Sequence, residues 1–291
     1  MAISGGIFDR QKEVQERLQQ APGEEARQEL GLPPEVMPSR WSLRTIRASF
    51  DWMADYTLSG VWRILERDRC QLRSSRVKHY SPDPNYVDKV MYLETCLRQA
   101  ADSPETHVLL FMDEMGYYRW PTAASDWQVV APEPTRSTQP ADNNRQWRLI
   151  AVLNSWSGQV DYVDGYIVGR QKVIDMYQQI ETIYPHAQHI FVVQDNWSIH
   201  KHSDVTTALE DFPRIEPVWL PTYAPWLNPI EKLWRWLRQD VLKMHRLAME
   251  WEALRRTVNA FLDQFGNGSQ DLLHYVGLLG QGRLAKARRG L

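Results

Sequence analysis

The stretch Leu220–Gln239, LPTYAPWLNPIEKLWRWLRQ, decides how the rest of the chain is read. A proline-rich loop runs into a helix, with Asn228 in the place of an N-cap and Pro229 at the first helical position. Ile230, Leu233, Leu237 and Val241 recur at helical spacing and form one apolar face. Glu231, Arg235 and Arg238 lie three and four residues apart on the other side. The pattern predicts a carboxylate near a helix N-terminus with arginines stacked behind it. Taken alone, the Asn-x-x-Glu spacing also describes a capping box, in which Glu231 reaches back to the amide of Asn228.

Two upstream stretches bear on that choice. LLFMDEMGYY (109–118) and VVQDNWSIH (192–200) each end a short apolar run in an aspartate, Asp113 and Asp195. Two aspartates at predicted strand ends and one glutamate on a later helix form an oxygen-only set. Such sets hold hard divalent cations.

Three blocks carry a family resemblance: Met112-Asp113-Glu114; Gln194-Asp195-Asn196 with Ile199-His200; and Pro225-x-Leu227-Asn228-Pro229-Ile230-Glu231-Lys232-x-Trp234. Together they resemble DDE transposases of the mariner-type superfamily, in its bacterial insertion-sequence branch. The 35 residues between Asp195 and Glu231 agree with that family's short second spacing. The resemblance runs over residues 40–262. It implies Asp113, Asp195 and Glu231 as catalytic residues and metal ligands. Asp113 would bridge two Mg²⁺ ions, with Mn²⁺ as a substitute, and Asp195 and Glu231 would each complete one. Water would be the first nucleophile and a freed DNA 3′-hydroxyl the second. The implied partner is double-stranded DNA, both element ends and a TA-containing target, engaged by a homodimer assembled on the DNA.

The neighbours of these acids have more than one reading. Glu114 points to the opposite face of its strand if the strand persists. Asn196 and His200 could orient substrate or water behind the ligands, and so could Asn228; Asn196 equally suits a local turn. His200 and His202, two apart, make poor helical metal geometry. Arg235 and Arg238 could take phosphate or pair with acids on their own helix. Trp226, beside the loop, is the tryptophan placed to touch DNA.

Composition sets outer bounds. The chain has 291 residues, 43% hydrophobic and 24% charged, which is ordinary for a globular protein. No apolar run would span a bilayer, and the N-terminus has no signal-peptide core. Cys70 and Cys96 fit neither a zinc pattern nor a disulfide framework. A cytoplasmic protein with free thiols and no membrane partner is expected. Net charge is −2, but it is segregated. Residues 1–39 carry four Lys/Arg against seven Asp/Glu, and residues 40–79 carry nine against four. Arg283, Lys286, Arg288 and Arg289 close the chain. Local basic patches suffice for phosphate contact.

In chain order, residues 1–39 read as an acidic, thin-faced helix and a proline-broken tether. Residues 40–72 read as a helix-turn-helix, with Ser59, Arg63, Arg67 and Arg69 as candidates for DNA contact. The same pattern fits a small helical bundle, but the resembling family carries such a DNA-binding module just ahead of its catalytic domain. Residues 73–104 give a basic linker and a connecting helix over 83–100. Residues 105–265 give strands at 107–114, 117–120, 147–156 and 159–168, a helix at 173–184, a strand at 189–195, a helix at 203–212, a strand at 215–220 and a helix at 247–265. Pro217 suits an edge strand. Residues 266–291 read as a Gly-containing basic tail. The expected class is α/β: a ribonuclease-H-like mixed sheet flanked by helices, preceded by a small all-α module. The expected function is DNA transposition by two-metal phosphodiester chemistry. The alternatives are a catalytically silent DNA-binding descendant and a metal-dependent nuclease of the same fold.

Overall fold

The computed structural model describes residues 3–73, 80–125 and 137–290, in two units, Met1–Lys78 and His79–Leu291. Most of the basic stretch expected as a linker, residues 74–79, lies outside the described residues.

The first unit holds α1 (Ile3–Leu18), α2 (Glu24–Glu29), α3 (Leu43–Ala48), a 3₁₀ turn (Asp51–Met53) and α4 (Leu58–Arg67). Ser42 and Thr45 exchange side-chain and backbone hydrogen bonds in a capping box that starts α3, and Thr57 caps α4. Val14, Ile46, Phe50, Met53, Val61, Ile64 and Leu65 form one core. The acidic N-terminus is therefore not a solvated tether. Val14 of α1 is wholly buried, and Gln15 Nε2 donates to the Asp68 carbonyl at 2.9 Å. Cationic side chains extend the packing, with Arg10 over Trp52 and Arg17 over Trp41.

The second unit opens with α5 (Tyr86–Asp102) and continues through β1 (His107–Tyr118), β2 (Gln146–Asn154), β3 (Val160–Gly165), α6 (Arg170–Ile183), β4 (His189–Gln194), α7 (Ser203–Leu209) and β5 (Ile215–Trp219). It ends with a 3₁₀ turn (Pro225–Leu227), α8 (Ile230–Leu237), a wider π turn (Arg238–Leu242), α9 (Trp251–Asp263), α10 (Gln270–Val276) and α11 (Arg283–Arg288). The sheet order is β3-β2-β1-β4-β5. β1, β2 and β3 pair antiparallel; β4 and β5 join in parallel. This is the expected mixed sheet, with β5 and its Pro217 at the edge. Alternation along β1 divides the interior. Leu109, Phe111, Met115 and Tyr117 join the core built with α5, α8 and α9. Val108, Leu110 and Met112 join the core built with Val173, Met176 and Tyr177 of α6.

Three expectations change. The separate strand at 117–120 does not exist: β1 runs unbroken through Gly116, which pairs with Arg148 of β2. Asp113 therefore sits within a strand, not at its end. The helix at 83–100 begins at Tyr86, and Val87 and Met91 are exposed while Cys96 and Ala100 fill the core. Residues 266–291 are not a trailing arm, since α10 and α11 bury Leu272, Leu273, Val276, Leu284 and Ala287 in the larger core. No helix among the described residues is long and apolar enough to cross a membrane.

Candidate active site

β1 outruns its neighbour, and that mismatch makes the site. β4 pairs with β1 only as far as Phe111 opposite Val193, and then ends at Gln194. Beyond that point, among the described residues, β1 is paired on its β2 side alone, with Asp113 opposite Ala151. The next carbonyl freed from the β1–β4 ladder, Met112 O, accepts from Asn228 Nδ2 at 3.0 Å. Asn228 is thus a pin between β1 and the start of α8. Its side chain makes no cap, and its backbone N–H donates to Pro225 O at 2.9 Å. The capping-box reading of Asn228 and Glu231 is not what the structure shows. Glu231 stands half-buried in the first turn of α8 with its side chain uncommitted to the helix end.

One turn on, Trp234 is wholly buried and donates its indole N–H to Asp113 Oδ2 at 2.9 Å. Asp195 follows β4 on an irregular segment. The Trp197 amide donates to Asp195 Oδ1 at 2.9 Å, and His200 Nδ1 lies 3.4 Å from the same oxygen. Asn196 ties this segment to the end of β5, donating to Leu220 O at 2.6 Å and accepting from Lys201 at 2.7 Å. The facing loop is held by Ser81 and Asp83, which bond to the Thr222 carbonyl and amide.

Asp113, Asp195 and Glu231 line one cavity of 390 Å³, together with Asn196, Tyr223 and Asn228. An adjoining cavity of 410 Å³ shares Asn228 and Glu231 and is lined by Lys232, Arg235, Arg238 and Lys243. An acidic chamber therefore opens beside a cationic one. Among the described residues, no Lys or Arg lines the first cavity. Burial, then the nearby Glu231 and Glu114 charges, hold the Asp113 carboxyl well above the ordinary aspartate range. Burial also raises Glu231, against the pull of Arg238 and Arg235. At Asp195 burial acts upward, but His200 and the Trp197 amide outweigh it and the net shift is downward. His200 is 1% exposed; burial opposes its charge, yet Asp195 and Glu114 raise it to about 9. Three carboxylates facing one space repel one another, and their all-oxygen donor set suits a hard divalent cation. Glu114, Asp195 and His200 also offer ligand atoms within 4.8 Å of one another.

Other expected residues fall elsewhere. Ser59, Arg63, Arg67 and Arg69 belong to the first unit and are exposed on or just after α4; Arg67 is paired with Asp68. Arg235 and Arg238 are exposed on Glu231's side of α8 and its continuation. Trp226 lines the cationic cavity, with its indole nitrogen 3.4 Å from the Tyr86 hydroxyl. Sequence reading passed over Trp234 as a functional residue. Its signal was present, since a buried indole N–H needs an acceptor and Trp234 stands three residues after Glu231.

Comparison with known proteins gives the family and the fold. Residues 108–255 match the family described as DDE superfamily endonuclease. The insertion element IS630 uncharacterized 39 kDa protein of Shigella sonnei is 24% identical over 210 residues. That match takes in 67% of this chain and spans 60% of the relative's length. The Mos1 mariner paired-end complex with Mn shares the fold at a TM-score of 0.58 and 14% identity, over 96% of this chain and 78% of that one. A pre-cleavage Mos1 transpososome does so at 0.56 and 17%, over 96% and 77%. The match over half the chain, around the two aspartates and the glutamate that meet in one cavity, places this protein in the DDE superfamily endonuclease family.

Proposed function

We propose that this protein is a transposase that cuts and joins double-stranded DNA, with Asp113, Asp195 and Glu231 as its catalytic, metal-holding residues. The observation that carries the reading is the convergence of these three carboxylates, from β1, the end of β4 and α8, on one cavity beside a cationic one. Two Mg²⁺ ions, replaceable by Mn²⁺, would supply charge neutralisation and activation of the attacking oxygen. Water displaces a 3′ oxygen from phosphorus, leaving a 3′-hydroxyl and a 5′-phosphate. That hydroxyl then displaces the 3′ oxygen of a target phosphodiester, forming one bond for the one broken. In each step the attacking oxygen gives up a proton and the displaced 3′ oxygen takes one up, so that it leaves as a hydroxyl.

The chain's own residues set the geometry. Trp234 holds Asp113, Asn228 fixes the start of α8, and Asn196 and His200 fix the segment carrying Asp195. Arg235 and Arg238 take up phosphates next to the reacting one. Residues 40–72 act as the DNA-binding module through Ser59, Arg63, Arg67 and Arg69 on and after α4, and residues 105–265 act as the catalytic domain. Solved structures that share the fold include a Mos1 paired-end complex with the left transposon end and a Mos1 strand transfer complex. Those complexes support element ends as substrates; a TA-containing target, a homodimer assembled on the DNA and a cytoplasmic place of work belong to the same proposal.

The test is an in vitro reaction on DNA carrying the flanking element ends, with parental and Glu231→Gln proteins. The parental protein should nick and join in Mg²⁺, and chelation should stop both. Glu231→Gln should melt near the parental temperature, bind DNA and do neither. Near-parental strand transfer by Glu231→Gln would overturn the assignment. Nicking without joined products would leave a nuclease, and DNA binding without cleavage a silent descendant.

A further inference from the structure

Glu114 and His200 form a contact that the chemistry above does not use. β1 carries Asp113 and Glu114 in succession, so their side chains leave opposite faces of the strand. Asp113 meets Trp234 on the α8 side. Glu114 follows Met112 onto the α6 side and does not line the acidic cavity. It could be a bystander, but its Oε1 lies 2.9 Å from His200 Nε2. The other nitrogen of the same ring, Nδ1, lies 3.4 Å from Asp195 Oδ1. The imidazole is buried and stands edge-on to Trp197, with ring centroids 5.6 Å apart. It is therefore fixed by Glu114, by Trp197 and by the backbone of its own segment.

Asp195 needs such a fixture. It is outside any regular element, and its side chain is 55% exposed. A short carboxylate in that setting samples several rotamers. Here the Trp197 amide donates to Oδ1, and His200 Nδ1 lies 3.4 Å from Oδ1 and 3.4 Å from the backbone carbonyl of the same residue. Contacts on Oδ1 limit how this carboxylate, which lines the cavity, can turn. An outer carboxylate that orients an imidazole, which in turn orients an inner group, is how metal sites fix their ligands from behind.

We propose that Glu114 and His200 act in series as positioning residues, with Glu114 orienting His200 and His200 turning the Asp195 carboxylate into the metal-holding cavity. The proposal rests on Asp195 being a metal ligand, as read above. It gives separate tasks to the adjacent acids of β1: Asp113 acts inside the cavity, and Glu114 acts around the strand through the imidazole.

The experiment is Mn²⁺ binding to the metal-free full-length chain, read by the electron paramagnetic resonance of free Mn²⁺, with no DNA present. Asp195→Asn should lose binding at this site. His200→Ala should weaken Mn²⁺ affinity about 10–100-fold, the usual cost of removing such an outer partner. His200→Asn, whose amide nitrogen takes the place of Nδ1, should recover most of it. Glu114→Ala should lose affinity through His200, so Glu114→Ala/His200→Ala should be no weaker than His200→Ala alone. Thermal melts without metal check folding. If His200→Ala does not fold, retention by His200→Asn against loss by Glu114→Ala decides. Parental affinity in His200→Ala and Glu114→Ala, or losses that add in the double variant, would overturn the series arrangement. Failure of the parental chain to bind Mn²⁺, or unchanged binding in Asp195→Asn, would overturn the metal-site reading itself and the proposal with it.

Discussion

Trp234 on α8 donates its indole N–H to Asp113 Oδ2 on β1 at 2.9 Å across 121 residues of sequence, and the indole is wholly buried. The same helix carries Glu231 one turn earlier. One hydrogen bond therefore indexes the helix bearing one acid to the strand bearing another. Trp234→Phe keeps most of the ring volume and removes the donor. It should fold cooperatively and nick DNA about 10–100-fold more slowly at limiting Mg²⁺, as expected when a ligand's orienting partner is removed. The measurement is nicking rate against Mg²⁺ concentration, with a metal-free melt as control. A parental Mg²⁺ dependence would reduce Trp234 to packing.

Asp113 also predicts an unusual pH dependence of stability in metal-free buffer. Its carboxyl is raised by burial and by the neighbouring Glu231 and Glu114 charges. The native state then keeps a proton at pH values where the unfolded chain has released it. Stability must fall as pH rises from the unfolded aspartate value through the raised folded one. Glu231 contributes in the same sense. Asp195 opposes it, because a depressed folded value gives stability that is lost as pH falls. Asp113→Asn removes the first effect and keeps an acceptor for Trp234. It should melt above the parental protein at neutral pH without metal, by about 1.4 kcal/mol for each unit of displacement removed. Melting curves from about pH 4 to about pH 8 check this, and the gap should close toward the acid end. Mg²⁺ should raise the parental melting temperature and leave Asp113→Asn nearly unmoved.

How much could be read in advance depended on whether a residue's role is local. Asp195 and Glu231 stand in short blocks with clear punctuation, a β4 of six residues and a proline-framed helix start. Asp113 was legible as an acid but not by its place, since Gly116 reads as a turn and only pairing with Arg148 keeps β1 extended. The role of Glu114 depends on where β4 stops relative to β1, which no local pattern encodes. Helices α1 and α10 were under-read for one reason. Val14 on α1 and Leu272, Leu273 and Val276 on α10 reach the core only through partners far away in sequence, which no local pattern shows.

The exposed side of α4 yields a third expectation. Ile64 and Leu65 are buried, while Ser59, Trp62, Arg63 and Arg67 face outward. Among the described residues Arg63 makes no ion pair, whereas Arg67 Nε lies 3.0 Å from Asp68 Oδ1. Arg63→Ala should therefore reduce the salt slope of DNA binding by about 0.9, the value of one lost phosphate contact. Arg67→Ala should reduce it less, because that guanidinium already has a partner. Fluorescence anisotropy at several salt concentrations measures both. Equal slopes for parental and Arg63→Ala proteins would remove α4 from the DNA interface.

The C-terminal helices give the last expectation. Leu272, Leu273, Val276 and Leu278 are buried in the same core as Trp234. Lys232 Nζ, on α8 beside Glu231, donates to Val276 O at 2.7 Å, so α10 braces the helix that carries the acid. Ser269 N also donates to Ser157 O at 2.9 Å, where Gly158 turns with φ 73. Any Cβ at Gly158 would lie 2.3 Å from Ser269 O, so the close approach is built into the β2–β3 turn. Leu273→Ala should cost about 2–5 kcal/mol, through lost burial and the cavity left behind. Urea titration should show a lower midpoint at an unchanged slope. Gly158→Ala should destabilise through strain at the same junction without removing any apolar contact. Truncation after Gly266 should unfold the second unit or abolish metal-dependent nicking, because α8 loses its brace. If residues 267–291 were only a basic arm, truncation would leave the melt unchanged and weaken DNA binding alone.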